Sequence, residues 1–243
     1  MESEFLYRSV SRTDCGRVRT VNQDALFTSD SAGLWAVSDG MGGHASGEVA
    51  SALVVECVKK IATQSTRTAP MKEMVKRSLI ETNENLLQQS ATAGLKLGMG
   101  ATVAALGVSG SRYFCLWVGD SRIYRLHANR LMQLTRDHRY VQELVDSGAL
   151  GVDAAREHRQ RNILTRAVGL DSQLVIDESD GAIAIGDVFL ITTDGVTDQC
   201  SDDEIETILR RSDLGDAADQ FVKLCNERGS PDNLSIVLVR VTA

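Results

Sequence analysis

Residues 24–40 read DALFTSDSAGLWAVSDG, two short apolar segments joined by a polar turn. Strand-like runs at residues 25–29 and 34–38, with a glycine-containing turn between them, are typical of a β-hairpin. In an antiparallel pair, the start of the first strand lies beside the end of the second. The pattern therefore predicts that Asp24 and Asp39 are neighbours at one edge of a sheet.

Aspartates also stand at the ends of other predicted strands. Asp120 and Asp194 each follow an apolar, strand-like run and adjoin a glycine, and Asp232 precedes another such run. If the strands next to Asp194 and Asp232 are antiparallel neighbours, these two residues meet at the same rim. Any single Asp-Gly pair is also an ordinary turn former, but the repetition favours a shared rim. That rim would hold five carboxylates, those of Asp24, Asp39, Asp120, Asp194 and Asp232.

Clustered carboxylates need a compensating charge, because like charges a few ångströms apart repel strongly. Divalent cations supply that charge, and an all-oxygen ligand set selects hard ions such as Mg²⁺ or Mn²⁺ over zinc. The four histidines, His44, His127, His138 and His158, show no zinc-ligand spacing. The sequence therefore predicts a magnesium or manganese centre at this rim.

Helices and strands are interleaved along the chain, which predicts an α+β fold. Apolar residues recur with a helical period in residues 47–64, 71–89, 202–211 and 216–227. Strand-like runs with short turns predict one antiparallel meander over residues 102–108, 112–118, 122–126 and 131–134. Sheets and helix faces that each need covering favour a layered sandwich of sheets with outer helices.

The composition excludes several classes of protein. The 243 residues include 26 Lys plus Arg and 33 Asp plus Glu, so the formal charge is 26 − 33 = −7. This balance, without a long basic run, argues against nucleic-acid binding through the phosphate backbone. No apolar run approaches the ~18 residues of a membrane span, and the N-terminus lacks the pattern of a signal peptide. We therefore expect a cytoplasmic protein without membrane insertion.

The five cysteines fit a reducing compartment. Their number is odd and they form no C-x-x-C pair, so neither a disulfide framework nor a zinc ribbon is predicted. Cys57 and Cys115 stand among apolar residues and are predicted to fill the core.

Residues 137–169 differ from their surroundings in being charged and rich in arginine, and they follow the predicted meander as an insertion. Two interpretations are open. The segment is either a solvated surface region with one short helix near residues 141–147, or a mobile flap that contacts substrate.

Eight short motifs occur in order along nearly the whole chain. They are RTVNQDA (19–25), VSDGMGGH (37–44), GMGATV (98–103), VGDSRIY (118–124), LTRDH (134–138), NILTRAVG (162–169), ITTDGVTD (191–198) and SPDNLS (230–235). Together they resemble the metal-dependent protein phosphatases of the type 2C (PPM) family in its compact bacterial form. The resemblance implies a four-layer α-β-β-α sandwich, with two stacked antiparallel sheets flanked by helices. It also implies a single catalytic domain over residues 1–243, with residues 137–169 as its flap.

The resemblance assigns metal ligands. Asp39 would bridge two Mn²⁺ or Mg²⁺ ions and would also be a catalytic residue, with the Gly40 carbonyl on one of the ions. Asp194, likewise catalytic, and Asp232 would hold the other ion. Asp24 would support the ion on the Gly40 side through water.

Further roles follow from the same resemblance. Asp120 would form a weaker third metal site together with Asp194. Arg19 would bind the substrate phosphate, and Asn233 would orient phosphate or metal-bound water.

Two departures from the family pattern bear on the chemistry. Gln23 stands where many members have Glu, so a direct carboxylate ligand is not expected there. Met41 stands where many eukaryotic members have a histidine proposed as general acid. His44 is one candidate for that role, and a metal-bound water or Asp120 is another.

The implied activity is hydrolysis of phosphoserine and phosphothreonine in proteins, by attack of a hydroxide that bridges two divalent metals. Two alternatives stay open: a phosphohydrolase of a small phosphorylated metabolite, and a catalytically silent phosphoprotein-binding regulator. The implied partners are phosphorylated proteins and a cognate Ser/Thr protein kinase, and the chain is expected to be a monomer.

Overall fold

The computed structural model describes residues 5–42, 46–64, 70–95 and 98–243. The strands in these ranges are β1 (Leu6–Asp14), β2 (Asp24–Ser29), β3 (Leu34–Met41), β4 (Gly100–Ala101), β5 (Val103–Ser109), β6 (Arg112–Val118), β7 (Arg122–His127), β8 (Arg130–Gln133), β9 (Asp177–Ala182), β10 (Val188–Thr192) and β11 (Leu234–Thr242). The helices are α1 (Ser46–Gln64), α2 (Met71–Thr92), α3 (Tyr140–Asp146), α4 (Val152–Glu157), α5 (Asp194–Thr197), α6 (Asp202–Arg211) and α7 (Leu214–Glu227).

The strands form two antiparallel sheets. Sheet I has the order β1-β11-β10-β7-β8. Sheet II has the order β2-β3-β5-β6-β9, and the short β4 pairs with β3. The first and last strands are neighbours in sheet I, because β1 pairs with β11 over nine residues.

Three apolar clusters hold four layers together. One cluster packs α1 and α2 on sheet II, a second joins the facing sides of the two sheets, and a third packs α6 and α7 on sheet I. The predicted α-β-β-α sandwich is therefore confirmed.

Strand β3 illustrates how the sequence builds these layers. Trp35 and Val37 belong to the cluster between the sheets, whereas Leu34 and Ala36 belong to the cluster under the helices. Successive strand residues point to opposite faces, and this strand is apolar on both. It is therefore a central strand, covered on each side.

The prediction of one continuous meander over residues 102–134 is wrong between its second and third strands. Strands β5 and β6 pair in sheet II and β7 and β8 pair in sheet I, so the link 119–121 crosses from one sheet to the other. Gly119 has φ 104° and a Cβ there would lie 2.6 Å from Thr102 Cγ2, so this crossing requires glycine. A short polar turn normally predicts a hairpin, and strand pairing further along the chain overrides it here.

The four predicted amphipathic helices are confirmed as α1, α2, α6 and α7. The strands β1, β4 and β9 and the helices α4 and α5 carry no predicted counterpart. Strands β1 and β9 lie at sheet edges and are rich in polar residues, which is typical of edges that face solvent. Within the described ranges, no helix combines the length and apolar character that crossing a bilayer requires.

The segment 137–169 is anchored at its first three residues, 137–139, which we call its root. The predicted short helix is confirmed as α3, but Asp137, His138 and Arg139 in front of it are buried. Arg122 on β7 donates two hydrogen bonds to Asp137, at 2.8 Å and 2.6 Å. A wholly solvated surface segment is therefore excluded for this root, while α4 beyond it has no buried residue.

The capping box at the start of α6 offers a test of the fold. Ser201 accepts from the Glu204 N–H and its own N–H donates to the Glu204 carboxylate. We expect Ser201→Ala to lower the free energy of unfolding by about 1 kcal/mol, because the Glu204 N–H loses its acceptor, the Ser201 hydroxyl. Urea unfolding measures this change in free energy. The control is Ser172→Ala at an exposed position, which should change the free energy of unfolding by less than about 0.5 kcal/mol. Equal effects of the two substitutions would contradict the capping role.

Candidate metal centre

The two hairpin aspartates lie side by side, as the sequence predicts. Asp24 and Asp39 are cross-strand partners at the end of the β2–β3 hairpin. Thr193, just after β10, donates from Oγ1 to Asp24 Oδ2 at 2.8 Å. This hydrogen bond joins sheet II to sheet I at the rim.

Gly40 follows Asp39 where the start of α1 approaches the strand. Its N–H donates to the Gln23 carbonyl at 3.1 Å. A Cβ at Gly40 would lie 2.0 Å from the Gly47 carbonyl oxygen. Only glycine permits this approach, which brings the helix close behind the hairpin aspartates.

Asp194 and Asp232 meet at the same rim, because β10 and β11 are antiparallel neighbours. Asp194 is the first residue of α5, and Asp232 stands two residues before β11. A Cβ at Gly195 would lie 1.9 Å from the Asn233 carbonyl oxygen. The two loops that carry these carboxylates therefore pack directly on each other.

Asp120 reaches the site from the link between the sheets and is buried. Its neighbour Ser121 shares a 2.6 Å hydrogen bond with Thr102 Oγ1, which in turn accepts from the Asp39 N–H at 2.9 Å. The crossing that the meander prediction missed is thus what places Asp120 near Asp39.

The carboxylates raise one another's pKa. Burial raises the pKa of Asp39 well above its ordinary value, and the nearby charge of Asp194 adds to this. Burial likewise raises the pKa of Asp194, with Asp120 as the strongest like charge. The pKa of Asp24 is raised to about 6, mainly by burial. These directions describe a rim with more negative charge than its own hydrogen bonds neutralise.

Arg139, at the root of the segment 137–169, forms ion pairs with three carboxylates. Its Nε donates to Asp120 at 2.5 Å, its Nη2 to Asp194 at 2.8 Å and its Nη1 to Asp198 at 3.2 Å. Its side chain is only 8% exposed. The guanidinium is therefore a buried cation inside the acidic cluster.

Arg19 lies at the outer side of the rim. Its Nε and Nη2 donate to the two carboxylate oxygens of Asp232 at 2.9 Å and 2.8 Å. The side chains are 54% and 42% exposed, so this pair is open to solvent, in contrast to Arg139.

Asn233 holds the loop that carries Arg19. Its Oδ1 accepts from the Gln23 N–H at 2.8 Å, and its Nδ2 donates to the carbonyls of Cys15 and Val21, both at 3.0 Å. These contacts give the side chain a positioning role. Its predicted role toward phosphate or metal-bound water stays a prediction.

The carboxylates on the Asp24 side of the rim fit a divalent metal centre, whereas those on the Asp120 side do not. Asp24 Oδ1 is buried and has no hydrogen-bond partner among the described residues. Together with the raised pKa of Asp39 and Asp194, this orphaned oxygen indicates a place for added positive charge. The Asp120 side is different, because Arg139 already supplies a cation there.

Across the described ranges, no three His, Cys, Asp or Glu side chains stand in ready metal-ligand geometry. Arg19 and Arg139 bond instead to oxygens of Asp232, Asp120 and Asp194.

Sequence reasoning missed Arg139 and Asp198 as members of the site. Asp198 stands four residues after Asp194, a spacing that places both on one helix face. Arg139 directly follows the LTRDH motif, but nothing in the sequence distinguishes it from the other arginines of the segment 137–169. His44 lies outside the described residues.

The fold and the acidic rim agree with the comparison to known families. A family model described as protein phosphatase 2C matches residues 13–238. The chain therefore belongs to the protein phosphatase 2C family.

Individual relatives cover nearly all of the chain. The serine/threonine phosphatase stp of Listeria welshimeri is 33% identical over 98% of this chain and 95% of its own length. The structure of PppA, a key regulatory component of T6SS in Pseudomonas aeruginosa, is 37% identical with a TM-score of 0.89, over 98% of this chain and 100% of that one. The catalytic domain of the phosphatase PstP in complex with two manganese ions is 29% identical with a TM-score of 0.90, over 99% and 100% of the two chains.

The raised pKa of Asp24 predicts a pH dependence of stability in the metal-free protein. Its pKa is about 6 in the folded state and 3.8 ordinarily, so the folded state retains a proton that the unfolded chain releases in this interval. The contribution of Asp24 to stability is therefore present below 3.8 and is lost as pH rises through about 6. We therefore compare the free energy of unfolding of the wild type with that of Asp24→Asn. The difference, wild type minus variant, should fall by roughly 2–3 kcal/mol as pH rises across this window.

Urea unfolding with a chelator present, at a series of pH values, measures this difference. Asp219→Asn, which changes an aspartate that is 63% exposed on α7, is the matched control and should show no comparable fall. A wild-type advantage that stays constant or grows with pH would contradict the assignment.

Proposed function

We propose that this chain is a metal-dependent protein phosphatase that hydrolyses phosphoserine and phosphothreonine. The observation that carries the proposal is the convergence of Asp24, Asp39, Asp194 and Asp232 on one rim of a protein phosphatase 2C fold. The silent-regulator alternative is disfavoured, because every carboxylate that the resemblance assigns to the two-metal centre is present.

Two Mn²⁺ or Mg²⁺ ions would be held by Asp39, Asp194, Asp232 and the Gly40 carbonyl, with Asp24 in support. Bound there, the ions would neutralise the rim, polarise the phosphoryl group and lower the pKa of water for attack on phosphorus. The chain's own contribution is to hold the carboxylates in place before the ions bind. The Thr193–Asp24 hydrogen bond and the packing of Gly195 on Asn233 fix the rim across both sheets.

Arg19 is the group proposed to bind the substrate phosphate. Its planar guanidinium can donate two parallel hydrogen bonds to phosphate oxygens, and it already donates two to Asp232. Its exposure allows a ligand from solvent to reach it. Asn233 keeps the loop of Arg19 in register through its three backbone hydrogen bonds.

A protein substrate is favoured over a small metabolite by the surroundings of the rim. A cavity of ≈ 470 Å³ extends from Arg139 toward the outer helix α4. Its lining combines arginines, Arg156 and Arg161, with the apolar side chains of Val145 and Val152. Such a mixed wall suits the varied side chains that flank a phosphorylated residue, whereas a metabolite would need only the rim.

The finer statements belong to the same proposal. The partners would be phosphorylated proteins and the Ser/Thr kinase that modifies them, and the chain would act as a cytoplasmic monomer.

An activity panel tests the proposed function. We expect Mn²⁺-loaded protein to hydrolyse phosphothreonine peptides and p-nitrophenyl phosphate, with peptides preferred over sugar phosphates and nucleotides. Asp39→Ala and Asp194→Ala should each abolish turnover, because a central carboxylate is lost. Asp219→Asn is the control and should retain full activity. No hydrolysis of any phosphate ester by the loaded wild type would refute the proposal, and a preference for metabolites would favour the alternative.

The role of Arg19 predicts a separate kinetic signature. Arg19→Ala should raise KM by about tenfold or more, since a charge-assisted hydrogen bond to phosphate contributes about 1.5–3 kcal/mol. Saturating Mn²⁺ separates this effect from any change in the affinity of Asp232 for metal. Arg12→Ala removes another surface ion-paired arginine and should leave KM unchanged. An Arg19→Ala enzyme with wild-type KM would contradict phosphate binding by this residue.

A further inference from the structure

The position that the family resemblance gives to a third divalent ion already contains a charged group of the chain itself. That position lies between Asp120 and Asp194, and the guanidinium of Arg139 bonds to both carboxylates. We infer that Arg139 serves as the resident cation there, so that the centre of this protein binds two divalent ions and not three. This inference rests on the proposed function.

Arg139 already bonds to an oxygen of each carboxylate that would hold the third ion. Three of its nitrogens each reach a different carboxylate, of Asp120, Asp194 and Asp198. A divalent ion of the magnesium type binds its oxygen ligands at about 2.0–2.1 Å, so an ion on the two oxygens that Arg139 bonds to would overlap the guanidinium. An ion and Arg139 therefore compete for the same oxygens.

Arg139 is also a permanent cation. A guanidinium is not deprotonated in proteins, so its charge is present at every pH at which the protein is folded. Its side chain is 8% exposed and that of Asp120 is 5% exposed. Displacing Arg139 would leave a buried charge without its partners, which is strongly unfavourable.

The backbone holds Arg139 in this place. The preceding residue, His138, donates its N–H to the Gly119 carbonyl at 2.9 Å and accepts from the Gly119 N–H at Nδ1 at 3.0 Å. Arg139 itself forms a β-bridge with Leu164. The root of the segment 137–169 is therefore tied both to the link that carries Asp120 and to the far side of the same segment.

A consequence is that one residue links charge compensation to the placement of the segment 137–169. In a centre with a third ion, the ion alone would neutralise Asp120. Here neutralisation requires the root of this segment to be docked.

Counting bound ions tests the inference without relying on turnover. Equilibrium dialysis against millimolar Mn²⁺, followed by elemental analysis, gives the number of ions per chain. We expect two ions for wild type and for Arg139→Lys, which keeps the charge, and three for Arg139→Ala. The double variant Arg139→Ala/Asp120→Ala should return to two. Arg159→Ala, which removes an exposed arginine of the same segment, is the matched control and should bind two.

The outcomes separate this inference from the proposed function. Three ions in wild type, reduced to two by Asp120→Ala, would overturn the inference and leave the phosphatase proposal intact. Two ions in folded Arg139→Ala would also overturn it, because another group would then exclude the third ion. If Arg139→Ala does not fold, equal counts of two in wild type and Asp120→Ala still support it. A wild type that binds no ion and hydrolyses no phosphate ester would overturn both proposals.

Discussion

Mutual repulsion between carboxylates at one rim is the constraint on which this structure depends. Asp39 stands next to Asp24 in a hairpin and near Asp194 across the two sheets, and the charges of both neighbours add to burial in raising the pKa of Asp39. Such a cluster would separate in a flexible chain, because like charges at short range repel. It persists here because the aspartates stand on strand ends and on loops packed against each other, whose positions are set by the apolar layers beneath. The stability of the sandwich thus holds a site that is unfavourable in itself.

Most of this arrangement could be predicted from the sequence, and the exceptions have physical reasons. Asp24 and Asp39 are local, since a hairpin brings them together within 16 residues of chain. The pairing of the strands beside Asp194 and Asp232 follows from their apolar character and direction. The link at Asp120 was misjudged, because a short polar turn normally joins paired strands, and only the pairing of β7 with β10 reveals the crossing. Arg139 could not be assigned, because its three partners lie between 19 and 59 residues away and no periodicity encodes such contacts.

The two arginines of the site differ in what surrounds them, and this difference separates their proposed functions. Arg19 is half exposed and bonds to a single carboxylate at the edge of the rim, so a phosphate or an ion can replace one of its contacts at little cost. Arg139 is buried and bonds to three carboxylates, so any exchange leaves several charges unpaired. Exchangeable contacts suit substrate binding, whereas fixed contacts suit charge compensation and the anchoring of a neighbouring segment.

The same distinction explains how a protein of formal charge −7 can attract a phosphate dianion. Two divalent ions would change the total to −7 + 4 = −3, which is still negative, so attraction cannot come from net charge. It must come from the local field, since a bound cation is the largest charge in such a site and reverses its sign. Arg139 contributes to that field from within, and because its charge is covalently part of the chain it cannot dissociate when free metal is scarce. The inner part of the rim therefore stays partly neutralised even without metal, and the remaining excess of carboxylates is what the two ions are needed to balance.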